Sequence, residues 1–172
     1  VDDLRIGVTP ASWSAPSTPS PTLREELFLL LLGALLGDSI AWSTQQDGHL
    51  VHDIVPMPGF EHEQLGCGSE ELLWWHTEDA FHPYRGDYLG MMCLRNPDGV
   101  ATTIGSLAGI EIDPAHRDVL FEPRFTIRPD ESHLPKNNSQ PDDDPDLQSA
   151  FHRIEEQWNA PEKIPVFFGA MD

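Results

Sequence analysis

Leu27, Leu30, Leu31, Ala34 and Leu35 recur at helical spacing, which predicts a helix in the first quarter of the chain. Thr22 and Glu25 stand in capping-box register at its start, Pro21 just precedes them, and Gly37 is a plausible stop. Beyond Gly37 the apolar residues gather into short runs between turn signals. Strands are expected at 39–42 and 50–55, joined through Gln45-Gln46-Asp47-Gly48, where Asp-Gly favours a hairpin turn. Further strands are expected at 72–76, 87–94 and 100–104, with Asn96-Pro97-Asp98-Gly99 as a turn. Asp113-Pro114 opens a short helix running to about Phe121, and 125–127 can form a strand. Leu147, Phe151, Ile154 and Trp158 mark one face of a helix that Pro161 ends, before a last strand at 164–168.

Two stretches break this pattern. Residues 1–21 are rich in Pro and Ser and read as an extended loop anchored by Trp13, and residues 129–145 are polar and read as a lid loop. The whole, residues 1–172, reads as one domain, mainly β with flanking helices, of barrel or sandwich type.

Charge narrows the function. Twenty-nine acidic residues face ten basic ones, a net charge of −19, which argues against nucleic-acid binding; it mildly favours a cationic small-molecule substrate, but foremost fits a charge that only keeps the protein soluble. The longest apolar run, 27–36, is too short to span a bilayer, so no membrane association is expected. No basic segment followed by an apolar stretch opens the chain, so no signal peptide is expected; Cys67 and Cys93, without metal-type spacing, fit a reducing cytoplasm.

The chemistry concentrates at His76-Thr77-Glu78, directly after Leu72-Leu73-Trp74-Trp75. On a strand, residues i and i+2 face the same side, so His76 and Glu78 converge while Thr77 points away. An imidazole and a carboxylate aimed at one point are two-thirds of the 2-His-1-carboxylate set that holds non-haem Fe(II). By itself the tripeptide is a weak signal, since most such pairs are surface polar residues. A zinc hydrolase is a weaker reading, because the His-Glu-x-x-His spacing is lacking. The glycines of Leu65-Gly66-Cys67-Gly68-Ser69 either allow close backbone approach to a ligand or serve only as turn residues.

The run His76-Thr77-Glu78-Asp79-Ala80-Phe81-His82-Pro83-Tyr84-Arg85, followed by Leu94-Arg95-Asn96-Pro97-Asp98-Gly99-Val100-Ala101-Thr102-Thr103, resembles the clavaminate-synthase-like Fe(II)/2-oxoglutarate oxygenases. Among these it is most similar to the arginine (free amino acid) β-hydroxylases. Thr9-Pro10-Ala11-Ser12-Trp13, Gln45-Gln46-Asp47-Gly48 and the run from Pro123 to His133 extend the likeness nearly end to end. The resemblance implies a double-stranded β-helix, or jelly roll, incomplete in this chain. It makes His76 and Glu78 the first two iron ligands and Thr103 the partner of the distal 2-oxoglutarate carboxylate. Gln46, Leu65 and Cys67 would border the substrate, with Cys67 standing where the family has serine, and Glu78 would also reach the substrate amino group. Asp172 falls near a guanidinium-binding aspartate pair, but Ala170 occupies the place of the first.

The family's second histidine ligand and its 2-oxoglutarate-binding arginine would lie on later strands, so the chain is expected to be an internal piece of a longer enzyme. His82, His116, His133 and His152 are not expected to replace that histidine. The implied activity is hydroxylation of a free L-amino acid at C3, with Fe(II), 2-oxoglutarate and O2, in peptide-antibiotic biosynthesis. Arginine or an arginine-derived amino acid is the expected substrate. The alternatives are an asparagine or other amino acid oxygenase or desaturase, or a catalytically incomplete jelly-roll fragment that binds an amino acid without turnover.

Overall fold

The structure, a computed structural model, describes residues 19–138 and 143–169. The extended loop around Trp13, Ala170, Asp172 and the middle of the expected lid lie outside these residues.

Helices form where local signals suffice. Helix α1 spans Leu23–Gly33. Thr22 does not cap its backbone; its hydroxyl donates to Glu26 Oε1 at 2.6 Å, so Glu26 rather than Glu25 answers it. Helix α2, Pro114–Leu120, begins at Asp113, whose carboxylate accepts from the amide of Ala115 at 2.8 Å. Helix α3, Pro145–Asn159, is capped by Asp144 through the amides of Asp146 and Leu147 and ends before Pro161. Phe151 and Ile154 bury its inner face, flanked by half-buried Leu147 and Trp158. The Arg128 guanidinium lies 5.6 Å from the centroid of the Trp158 ring.

The expected strands meet a different fate. Among the described residues the one ladder is antiparallel, strand β1 (Phe125–Thr126) against strand β2 (Lys163–Ile164), with Phe125 opposite Ile164. The amides of Val166 and Phe167 then both donate to the Leu120 carbonyl, tying the end of α2 to the segment after β2. Segments 39–42, 50–55, 72–76, 87–94 and 100–104 form no ladder. The predicted turn at Gln46–Gly48 is present, with Asp47 and Gly48 both at positive φ, but the flanking residues do not pair across it. The mainly β core is therefore reduced here to a two-residue pair.

The physical reason is a lack of partners. A strand needs a neighbour for its backbone groups and cover for its apolar face. Leu72, Trp74 and Trp75 are 89%, 77% and 74% exposed, and Tyr88, Leu89, Met91, Val100 and Ile104 are exposed too. Total accessible surface is 13443 Å², against roughly 8400 Å² for a compact monomer of this mass. Apolar side chains that would form a sheet face are thus displayed without cover.

Apart from the inner face of α3, what is packed lies around the loops. Met57, Cys67, Phe81, Pro129 and His133 are buried. Residues 129–138 are anchored rather than loose: two short 3-10 turns, Glu131–His133 and Pro135–Asn137, sit there with His133 in the interior.

Candidate metal centre

His76 closes the apolar run and Glu78 opens the turn at 78–81. Their side chains converge as the i, i+2 spacing predicts: His76 Nε2 lies 3.1 Å from Glu78 Oε1. His76 Nδ1 lies 2.6 Å from the Trp74 carbonyl oxygen, which can only accept, so Nδ1 carries the proton and donates. In a neutral ring the Nε2 lone pair then faces a carboxylate oxygen. Two acceptors at that distance repel unless a proton or a metal cation lies between them. The Trp74 hydrogen bond, aided by Glu78, outweighs burial and holds the His76 imidazole above its ordinary range. The same fixed tautomer is what a metal-ligating histidine needs. An imidazole nitrogen and a carboxylate oxygen fit the donor preferences of Fe(II). Among the described residues, no group of three His, Cys, Asp or Glu side chains gathers at one point.

The next residue is fixed more firmly. Asp79 has φ of 47°, a left-handed conformation that few residues other than glycine adopt. Its Oδ2 accepts from Trp42 Nε1 at 2.5 Å and its Oδ1 lies 3.1 Å from His133 Nε2. His133 is completely buried, and its Nδ1 lies 2.9 Å from the hydroxyl of buried Thr44. With both ring nitrogens engaged, His133 has no lone pair left for a metal. Burial pushes the Asp79 carboxyl up, but the His133 and Trp42 hydrogen bonds prevail and hold it below the usual carboxylate range. Asp130 is shifted the other way, upward, by burial and by the charges of Asp79 and Glu78, which puts its carboxyl within electrostatic reach of the His76–Glu78 pair.

The other predicted site residues are more scattered. Thr103 is exposed; two residues on, Gly105 lies against the Trp75 ring. Gln46 uses its amide to hold the Asp53 backbone, accepting from the Asp53 amide at 3.1 Å and donating to the Asp53 carbonyl at 3.3 Å. Leu65 is half-buried, and its carbonyl accepts from the Gly68 amide. Cys67 is fully buried, its carbonyl accepts from the Met57 amide at 3.1 Å, and burial raises its thiol pKa. A Cβ on Gly68 would run into the Glu63, Leu65 and Phe60 carbonyl oxygens, so this glycine serves close approach of the loop to itself. Trp42, Thr44, Asp79 and Asp130 were not singled out by sequence reasoning, and His133 was assigned to a lid. The Asp79–His133 contact spans 54 positions and the Thr44–His133 contact 89, so no local signal announces either.

No protein-family model matches the chain. It is 48% identical over 177 residues to an enduracididine beta-hydroxylase of Streptomyces hygroscopicus, covering 100% of this chain and 52% of that protein. It is 43% identical over 173 residues to an L-ornithine/L-arginine 3-hydroxylase of Catenulispora acidiphila, covering 98% and 50% respectively. Its structure superimposes with a TM-score of 0.87 on the non-haem iron oxygenase OrfP in complex with Fe, succinate and (3S)-hydroxy-L-Arg, at 50% identity over 98% of this chain and 50% of that one. The chain spans about half the length of the relatives it matches.

Proposed function

We propose that this chain is the half of an Fe(II)- and 2-oxoglutarate-dependent amino acid hydroxylase that carries the first two iron ligands. In the full protein it would contribute half of a double-stranded β-helix. That protein would hydroxylate C3 of free L-arginine, or of an arginine-derived amino acid, in peptide-antibiotic biosynthesis. The observation that carries this reading is the convergence of His76 Nε2 and Glu78 Oε1 beneath a fixed histidine tautomer. The likeness of the whole chain to an enduracididine beta-hydroxylase and an L-ornithine/L-arginine 3-hydroxylase supports the substrate class. The uncovered apolar faces of 72–76, 87–94 and 100–104 support a role as part of a larger sheet.

When bound, Fe(II) supplies with 2-oxoglutarate and O2 the oxidant that places one oxygen atom on C3 and the other in succinate, with loss of CO2. The residues of this chain hold and orient. His76 would donate Nε2 to the metal and Glu78 one carboxylate oxygen. The second Glu78 oxygen would accept from the substrate amino group. Thr103 would donate its hydroxyl to the distal carboxylate of 2-oxoglutarate. Gln46, still tied to Asp53, has one amide N–H and one lone pair left for the α-amino acid end of the substrate. Leu65 and Cys67 would shape the wall beside it, and Asp172 would hold the guanidinium. The net charge of −19 draws a cationic amino acid toward such a site. Two free cysteines fit work in a reducing cytoplasm. The 172 residues alone would turn over nothing, because the described residues supply two ligand groups and not three.

The test is an assay of the full-length protein with Fe(II), 2-oxoglutarate and a panel of free amino acids. Arginine or an arginine derivative should stimulate succinate formation and gain one oxygen at C3. Succinate formation that no amino acid stimulates would overturn the reading, and a preference for asparagine would overturn the guanidinium assignment.

A further inference from the structure

We propose that Asp79, His133 and Thr44 form a buried positioning relay that sets the aim of the Glu78 carboxylate. The inference rests on the reading of Glu78 as an iron ligand and adds residues outside the ligand set.

Three separated segments meet at this relay. Trp42, Thr44 and Gln45 come from one, Asp79 to His82 from the second, and Asp130 to His133 from the third. The side chain of Asp79 is held at both oxygens, by the indole N–H of Trp42 and by His133 Nε2. An ionised carboxylate only accepts, so His133 donates through Nε2. The Thr44 hydroxyl can serve Nδ1 as donor or acceptor, and so completes the ring whatever its protonation state. The His133 ring also packs edge-on against Phe81, with centroids 5.1 Å apart. A second tie runs parallel to the first, from Gln45 Nε2 to Ser132 Oγ at 2.9 Å.

The consequence falls on Glu78 through the backbone. Asp79 occupies the left-handed region, where an L-residue rests only when its surroundings hold it. Its carbonyl accepts from the His82 amide at 2.9 Å, closing the turn that Glu78 opens. The direction of Glu78 is therefore set by the backbone of a residue whose side chain is clamped from two sides. A half-buried carboxylate and a buried imidazole, each with both polar atoms engaged, are costly to assemble and loosen as a unit. Loss of either partner frees the turn and lets the Glu78 oxygen drift from the His76 nitrogen.

A purely structural role for the relay would lower thermal stability and leave metal affinity alone. The experiment uses the full-length protein under anaerobic conditions, with Fe(II) titrated into wild type, His133→Phe, His133→Gln and Asp79→Asn, each with its thermal midpoint measured. His133→Phe and Asp79→Asn should weaken Fe(II) binding by about 10–100-fold, the range seen when an outer partner of a metal ligand is lost. His133→Gln, which can still donate to Asp79, should recover most of that affinity, and the ratio of succinate to hydroxylated product should rise in His133→Phe and Asp79→Asn but not in His133→Gln. If His133→Phe does not fold, Trp42→Phe, which removes only the donor to Oδ2, should still weaken binding. Iron affinities within about twofold of wild type in every folded variant would overturn the relay. Fe(II) binding absent from wild type, or indifferent to His76→Ala, would overturn the ligand assignment and the relay with it.

Discussion

His76 Nε2 and Glu78 Oε1 stand 3.1 Å apart with the opposite face of the imidazole hydrogen-bonded to the Trp74 carbonyl. A proton or a cation is needed between them. Replacing Glu78 by Gln keeps the shape and removes the charge. Fe(II) affinity should fall by more than the 10–100-fold or so typical of losing an outer partner, and substrate-stimulated succinate formation should fall with it. Metal titration alongside the succinate assay checks this.

Two histidines near the site resist protonation. Burial lowers the pKa of His52, and burial likewise lowers that of His82. At His82 the Tyr84 amide donates to Nδ1, a bond that needs the neutral ring. In the unfolded chain each titrates near pH 6.5, whereas in the folded chain each holds its proton only at lower pH. Below about pH 6.5 the unfolded state therefore binds more protons, and stability falls as pH drops toward the folded values. Thermal midpoints from pH 7 to pH 5 should decline, and His52→Gln with His82→Gln should flatten that decline.

Gly68 sits against three carbonyl oxygens of its own loop. Gly68→Ala should destabilise the protein by about 1–3 kcal/mol, because backbone rather than a flexible side chain must yield. Gly99, whose Cβ position is open but whose φ is +63°, should respond mainly through backbone strain, at about 1 kcal/mol. Denaturant midpoints of the two alanine variants compare packing with conformation.

Helix α3 depends on two buried residues. Phe151→Ala should cost about 3 kcal/mol and exposed Glu155→Ala less than about 0.5 kcal/mol, read from chemical denaturation of the full-length protein.

Legibility in the sequence followed the range of the interactions. Helix α2 was readable because Asp113, Pro114 and the following residues act within one turn. Helix α3 was readable from four apolar positions and its closing proline. The pairing of His76 with Glu78 was readable because it spans two residues. Strands at 72–76, 87–94 and 100–104 were predicted from apolar runs that are present, but a ladder also needs a neighbouring chain segment, and none pairs with them among the described residues. His133 shows the same limit in the site: a histidine in a polar, proline-rich stretch looks like loop, and contacts 54 and 89 positions away make it interior. Thr22 shows it on a smaller scale, choosing Glu26 over Glu25 by the geometry of one helical turn.

The central claim is that His76 and Glu78 hold Fe(II). Anaerobic calorimetric titration of Fe(II) into the full-length protein, beside its His76→Ala and Glu78→Ala variants, tests it most directly. The account predicts one metal ion bound per wild-type chain and binding lost in both variants while their thermal midpoints stay close to wild type. Equal Fe(II) binding by wild type and the two variants would contradict it.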